Sequence, residues 1–243
     1  GTRTWRPRRR AAPRNLTWPR DAGPRPAAEL VPDGLAAAGR RCSALALEGV
    51  AAARALGIAT LITDHHLAGR ALPVADVIVN PNQPGCGFPS KSLAGVGVIF
   101  YIMLALRIEL RSRGWFARRP EINLAQYLDL VALGTVADVV PLDRNNRILV
   151  AEGLRRIRGS QCRPGILALL EVASRQPQSV VAADLGFAVG PRINAAGRLE
   201  DMSIGIECLL CENLPTARAQ ASRLDQLNQE RRVIEQDMQA EAI

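Results

Sequence analysis

The sequence predicts an α/β fold, a parallel-sheet layer followed by a helical portion. Three observations predict it. Two apolar runs of strand length, Ile58–Thr63 and Ala75–Val79, sit between helical patterns. A longer apolar run, Ser92–Leu106, spans 15 residues, the length of a buried helix rather than of a bilayer span. From Pro215 to Ile243 the chain reads as one long polar helix. Strands that alternate with helices favour parallel pairing.

Each element has a local reason. Glu48–Leu56 is rich in alanine and is stopped by Gly57, which reads as a short helix. Ile58–Thr63 is a strand that ends at Asp64. Ala75–Val79 is a second buried strand, closed by Asn80-Pro81, and Pro81–Pro89 is a loop broken by prolines and glycines. Leu93–Arg113 is a long apolar helix, and Asn123–Leu133 is another, ended by Gly134. Asp143 can cap a helix to Arg158. Pro164 suits the first turn of a helix through Ser174. Ser203 caps the next, to Glu212, and Pro215 opens the polar helix. A helix of that kind bridges to something else, so the chain reads as stopping within a connector.

Composition bounds the class. The chain has 243 residues, 48% hydrophobic and 22% charged, which excludes collagen-like, disulfide-framework and wholly disordered proteins. The N-terminus has no apolar core segment of a secretory signal. Net charge is +8, but residues 1–41 hold 10 arginines and 3 acids, and residues 42–243 are nearly balanced. The high pI therefore describes a tail, readable as a basic arm for nucleic acid or as a solvated, unstructured segment. Arginine outnumbers lysine 30 to 1, a mark of GC-rich coding in which a wrong frame yields Arg, Pro, Ala and Gly. Residues 1–46 are accordingly expected to be disordered or frame-shifted. Five cysteines at irregular spacing fit a reducing cytoplasm, and the Cys208-x-x-Cys211 pair reads as packing.

The two histidines are adjacent, in Asp64-His65-His66, directly after the first strand. Carboxyl ends of parallel strands are where ligands bind. Imidazole with carboxylate suits Mn²⁺, Fe²⁺ or Zn²⁺, although a surface turn with two solvated histidines has the same sequence. Asp138, inside the apolar run Gly134–Leu142, is a second acid that needs a partner: a cap, a salt bridge or a metal.

Four stretches carry a resemblance. LITDHH, VIVNPNQPGCGFPSKSLAGVGV, LDLVALGTVADVVPLDRNNRILV and DLGFAVGPRINAAGRLEDMSIGIECLL together resemble the RecJ single-stranded-DNA-specific exonucleases, within the DHH phosphoesterases. The resemblance covers residues 47–243. It implies a parallel-sheet DHH domain, incomplete at its N-terminus, over 47–200, then a helical connector over 201–243 toward a missing C-terminal domain. It implies a metal-dependent 5′-to-3′ exonuclease of DNA repair and recombination, using Mn²⁺ or Mg²⁺ on single-stranded DNA. Helicases and single-strand-binding proteins are its implied partners, with no membrane. Carried over by motif, His65 and Asp138 are metal ligands. His66 contacts the scissile phosphate or the metal, and Asp64 ligates or orients. Arg192, Asn194 and Arg198 of GPRINAAGR would lie along the substrate strand, where guanidinium forks hold phosphates. A glycine-bounded turn with its arginines paired to Glu200 or Asp201 is the structural alternative. Ser90-Lys91-Ser92, with the sole lysine, reads as a helix start that caps or meets phosphate.

The sequence also departs from the family. It has no D-x-D motif, no acid from Gly34 to Leu47, and no Gly-Gly or His after His66. A partial enzyme with little activity alone is the expectation. The alternatives are a hydrolase of short oligonucleotides or cyclic dinucleotides, and a non-catalytic DNA-binding scaffold.

Overall fold

The computed structural model describes residues 44–69 and 71–241, so the expectations for residues 1–43 lie outside the described residues, while residues 44–46, expected to belong to the same tail, are helical. The chain divides into two compact units after Ile58. The first contains α1, Ala44–Ala55. It ends as the sequence predicts. Gly57 takes φ +72°, and its amide and that of Ile58 donate back to the carbonyls of Arg54 and Ala53.

The second unit, Ala59–Ile243, begins with the sheet. Strands β1 (Leu61–Thr63) and β2 (Val77–Val79) pair in parallel, with Leu61 opposite Val77 and Thr63 opposite Val79. The parallel pairing matches the expected class. Thr60 N–H donates to Asp76 Oδ2 at 2.8 Å, which fixes the register at its first residue. Among its described residues, the crossover of about a dozen residues carries no helix.

Helices build the rest. α2 is Gly95–Ser112, two residues shorter at its start than the apolar pattern predicts. The expected single helix over 123–133 is instead a tight 3₁₀ turn, Leu124–Tyr127, followed by α3, Leu128–Ala137. Gly134 does not end α3. It lies inside it because a Cβ there would come within 2.8 Å of the Val96 side chain, so glycine lets α2 approach. α4 (Arg144–Arg158) starts at Asp143, whose carboxylate accepts from Asn146 N–H at 2.9 Å, as expected. α5 (Pro164–Val172) carries proline in its first turn, also as expected.

Residues 182–199, for which the sequence pattern predicts nothing regular, are continuously helical. A single turn, α6 (Ala182–Asp184), passes through a π-helical turn (Leu185–Val189) into α7 (Gly190–Leu199). The GPRINAAGR run is thus a helix, not a turn. α8 is Ser203–Leu210, and Asp201 rather than Ser203 does the capping, accepting from Ser203 N–H at 2.8 Å. α9 runs Leu214–Glu241. Its first half buries Ala217, Ala221, Leu224 and Leu227, and beyond Asn228 it is almost wholly exposed.

One apolar cluster joins α3, α4, α5, α7, α8 and α9, around Ile157, Ile166, Leu169 and Leu224, all fully buried. A second joins α2 to α3 and α4 around Leu93, Val98, Phe100 and Val131. Close backbone approach sets two of the crossings. A Cβ on Gly153 would lie 2.2 Å from the Leu128 carbonyl oxygen, and one on Gly165 would lie 2.0 Å from that of Cys208. Cys208 is buried, which pushes its thiol up to about 11, and the four described cysteines are free thiols.

Candidate metal centre

Asp64, His65 and His66 follow β1 and begin the crossover. The carboxylate of Asp64 organises this turn. Its Oδ1 accepts from the amides of His65 (2.7 Å) and His66 (3.1 Å), and Nδ1 of His66 lies 2.8 Å away. Burial pushes the Asp64 carboxyl up, but the hydrogen bonds from the two histidines outweigh it and hold the group below its ordinary value. The acid is therefore ionised while it orients the pair.

A clasp from the loop after β2 fixes the same turn from outside. Asn80 Nδ2 donates to the His66 carbonyl at 2.9 Å, and Asn82 Nδ2 donates to the His65 carbonyl at 2.7 Å. Asn82 N–H donates to Asn80 Oδ1, which locks the two amides together. Lys91 Nζ donates to the carbonyls of Pro81 and Cys86, both at 2.7 Å, and closes the loop on itself. Lys91 is thus a loop staple, and the helix begins four residues later, at Gly95. Asn80 and Asn82 are the positioning residues that the sequence reading missed. The signal was present: an Asn-Pro-Asn at a strand end, two amide side chains where a turn must be built.

The structure brings His65 to Asp138. The two lie far apart in sequence, yet His65 Nε2 stands 3.5 Å from Asp138 Oδ2. The His65 side chain is 18% exposed and that of Asp138 42%. The His65 ring rests on the start of α2, its Cδ2 3.5 Å from where a Gly95 Cβ would be. Asp138 is the C-cap of α3, its amide bound to the Gly134 carbonyl. The negative end of a helix beside a carboxylate favours a cation there. Val139, next in sequence, holds φ +57° and is 86% exposed. A β-branched residue is strained there, and the strain lies beside the Asp138 carboxylate.

Donor chemistry and spacing fit a divalent ion held by these two side chains. Around an octahedral ion, two adjacent donors each about 2.1 Å away lie about 3.0 Å apart, so the 3.5 Å gap needs only a small closing movement to share one ion. Asp64 Oδ1 is committed to the turn. Among the described residues no group of three or more His, Cys, Asp or Glu side chains converges on a metal-sized site. The fit is that of a two-donor half-site.

The three residues expected along a substrate strand differ in their surroundings. Arg192 Nε donates to Asp225 Oδ1 of α9 at 2.8 Å, and another of its nitrogens donates to the Ala188 carbonyl at 2.6 Å. The pair is 13% and 20% exposed, so Arg192 ties α7 to α9. Neither Glu200 nor Asp201 is its partner; Glu200 pairs with Arg223. Asn194 is exposed, and Arg198 is half-exposed with Glu235 3.5 Å away. α7 nevertheless starts close to the centre. A Cβ on Gly190 would lie 3.3 Å from that of Ala137, the residue before Asp138.

Known proteins and solved structures resemble this chain over most of its length. Residues 40–135 match the model of the DHH family, N-terminal domain, which includes Asp64, His65 and His66 and stops just short of Asp138. The chain is 65% identical over 197 residues to the single-stranded-DNA-specific exonuclease RecJ of Salmonella typhimurium, covering 80% of this chain and 34% of that protein. It is 39% identical to the Bacillus subtilis RecJ over 79% of this chain and 22% of that one. Among solved structures it superposes on an exonuclease RecJ bound to manganese with TM-score 0.66 and 33% identity, over 79% of this chain and 46% of that one. It superposes on the Thermus thermophilus RecJ in complex with Mn²⁺ with TM-score 0.65 and 34% identity, over 77% and 27%. The chain spans about a third of the length of the first of these relatives.

Proposed function

We propose that this chain, which carries a DHH-family domain and matches RecJ exonucleases over four-fifths of its length, is part of a metal-dependent 5′-to-3′ exonuclease for single-stranded DNA, with little activity on its own. The observation that carries the reading is the approach of His65 Nε2 to Asp138 Oδ2 at 3.5 Å. These two side chains would hold Mn²⁺, the ion named for both similar solved structures, or Mg²⁺, named for another structure of the Thermus thermophilus RecJ. Bound there, the ion supplies Lewis acidity at a phosphodiester and acidifies a water.

The chain's own residues do the rest. Asp64 orients the His66 imidazole, holds the backbone amides of both histidines and keeps its charge. His66, more than half exposed, is left to meet the scissile phosphate. Asn194 and Arg198 offer donors to the strand from α7, and Arg192 braces that helix against α9. The setting is DNA repair and recombination in the cytoplasm, beside a helicase and a single-strand-binding protein. Free thiols at the four described cysteines support a reducing compartment, and no described helix is long and apolar enough to cross a membrane.

The two-donor count favours one second reading, a non-catalytic DNA-binding scaffold. A Mn²⁺ titration of the whole chain separates them. The exonuclease reading expects weak binding that falls about tenfold or more in both His65→Ala and Asp138→Ala. Binding that ignores both substitutions overturns it. Robust Mn²⁺-dependent digestion by this chain, lost in Asp138→Ala, would overturn the claim of low activity instead.

A further inference from the structure

The far end of α2 carries an exposed aromatic and cationic surface. Its first residue, Gly95, lies against His65. Its 18 residues extend about 27 Å to Ser112, well away from that centre. Beyond it, Gly114 takes φ +71° and turns the chain into a 3₁₀ turn, Trp115–Arg118. The turn presents the Trp115 ring to solvent, 51% exposed, with the Arg119 guanidinium 4.3 Å from the ring centre.

Charge is concentrated in the same place. Residues 107–121 hold five arginines and two glutamates. Glu121 takes Arg107 and Arg111, and Glu109 takes Arg113. Among the described residues, Arg118 and Arg119 have no carboxylate partner. This short segment therefore carries three surplus positive charges, against one for the whole of residues 42–243.

We propose that this turn is a second contact for single-stranded DNA, taking a base on the Trp115 ring and phosphates on Arg118 and Arg119. The proposal rests on the single-stranded-DNA reading above. An exposed indole flanked by guanidinium groups matches an unpaired strand, which offers bare base faces beside phosphates. A duplex hides those faces. An acidic protein would use the charges and leave the indole idle. The distance from His65 makes the contact a hold on the trailing strand, several nucleotides from the reacting end.

The test is binding of fluorescent oligo(dT) to the whole chain in EDTA, where nothing is cut. With a strand of about 20 nucleotides, Trp115→Ala weakens binding about tenfold, and Trp115→Phe, which keeps a ring face, restores most of it. Replacing Arg118 and Arg119 by glutamate lowers the salt slope by about 1.4. A strand of about four nucleotides, too short to reach both places, loses less than the long one. Equal affinity of Trp115→Ala and the unchanged chain for the long strand overturns the proposal. Loss of poly-glutamate binding in the arginine variant, with DNA binding intact, overturns it in favour of an acidic protein. No binding of DNA by the unchanged chain overturns it together with the function reading. Manganese affinity at His65 and Asp138 is a separate readout, so either idea can fail alone.

Discussion

His65 and Asp138 meet at one point but are held there by different physics. The His65 side is a short, thinly covered sheet with Leu61 and Val77 each half exposed, and a loop held by amide side chains and one lysine. The Asp138 side is the end of a helix packed between the two apolar clusters, with Ala132 and Leu133 buried in one and Val131 in the other. Apolar packing is spread over many residues, so it makes Asp138 depend on the global stability of the helical body. A polar clasp is local, so it sets where His65 sits with little effect on whether the chain folds. The two halves of the centre should therefore fail in different ways.

The largest effect is expected where the helical body has no slack. A Cβ on Gly153 would meet both the Leu128 carbonyl at 2.2 Å and the Ala132 Cβ at 2.4 Å. Both neighbours belong to α3, the helix that ends in Asp138. Gly153→Val should cost about 3 kcal/mol in urea unfolding. Gly87→Ala, where nothing lies within 4 Å, is the matched control and should be near neutral. A Gly153→Val chain as stable as the control would show that α3 and α4 separate easily, and the contrast between the halves would collapse.

What the sequence made legible divides along the same line. The strands, the parallel class and the caps at Asp143 and Pro164 were readable because each depends on residues close in the chain. Asp138 was readable as an acid in need of a partner, but which partner depends on contact across the fold. The helix over 182–199 was hidden by its glycines. Gly186, Gly190 and Gly197 read as breaks but serve close packing, Gly186 and Gly190 against α3 and Gly197 against Met202. The role of Arg192 was hidden because its partner, Asp225, lies on a helix that reads as a polar connector. Asn80 and Asn82 were hidden because an amide that bonds a backbone carbonyl leaves no periodic trace.

An intermediate effect should come from the clasp. Asn82→Ala removes the bond to the His65 carbonyl and leaves the apolar core untouched. Manganese affinity should fall about tenfold, as for other groups that orient a ligand. Unfolding free energy should change by only about 0.5 kcal/mol, well under the ~1.4 kcal/mol that a tenfold loss of affinity represents. Calorimetric titration beside urea unfolding reads both numbers. Equal losses in the two, as for a core residue, would erase the distinction between a clasp and a packed support.

The smallest effect is expected at Asp143, where the two halves are joined by a cap. Its carboxylate accepts from Asn146 N–H and, at 2.6 Å, from Ser90 Oγ in the segment between the clasp and α2. Burial pushes this carboxyl up, but the bonds from Asn146 and Ser90 prevail and hold it below its ordinary value. A depressed folded value means that its stabilisation is complete above the unfolded pKa of about 3.9 and is lost as pH falls through the folded one. Asp143→Ala should therefore cost about 1 kcal/mol at neutral pH. The gap between the two proteins should close as pH drops below about 4. Asp143→Asn keeps an acceptor for the cap without the charge, so its deficit should be smaller and its profile flatter across the same range. A gap that widened in acid would mean that the carboxylate is a strain on the junction rather than its tie. The sheet side and the helical side would then be coupled through Asn146, which donates to the carbonyls of Ser92 and Pro141, instead.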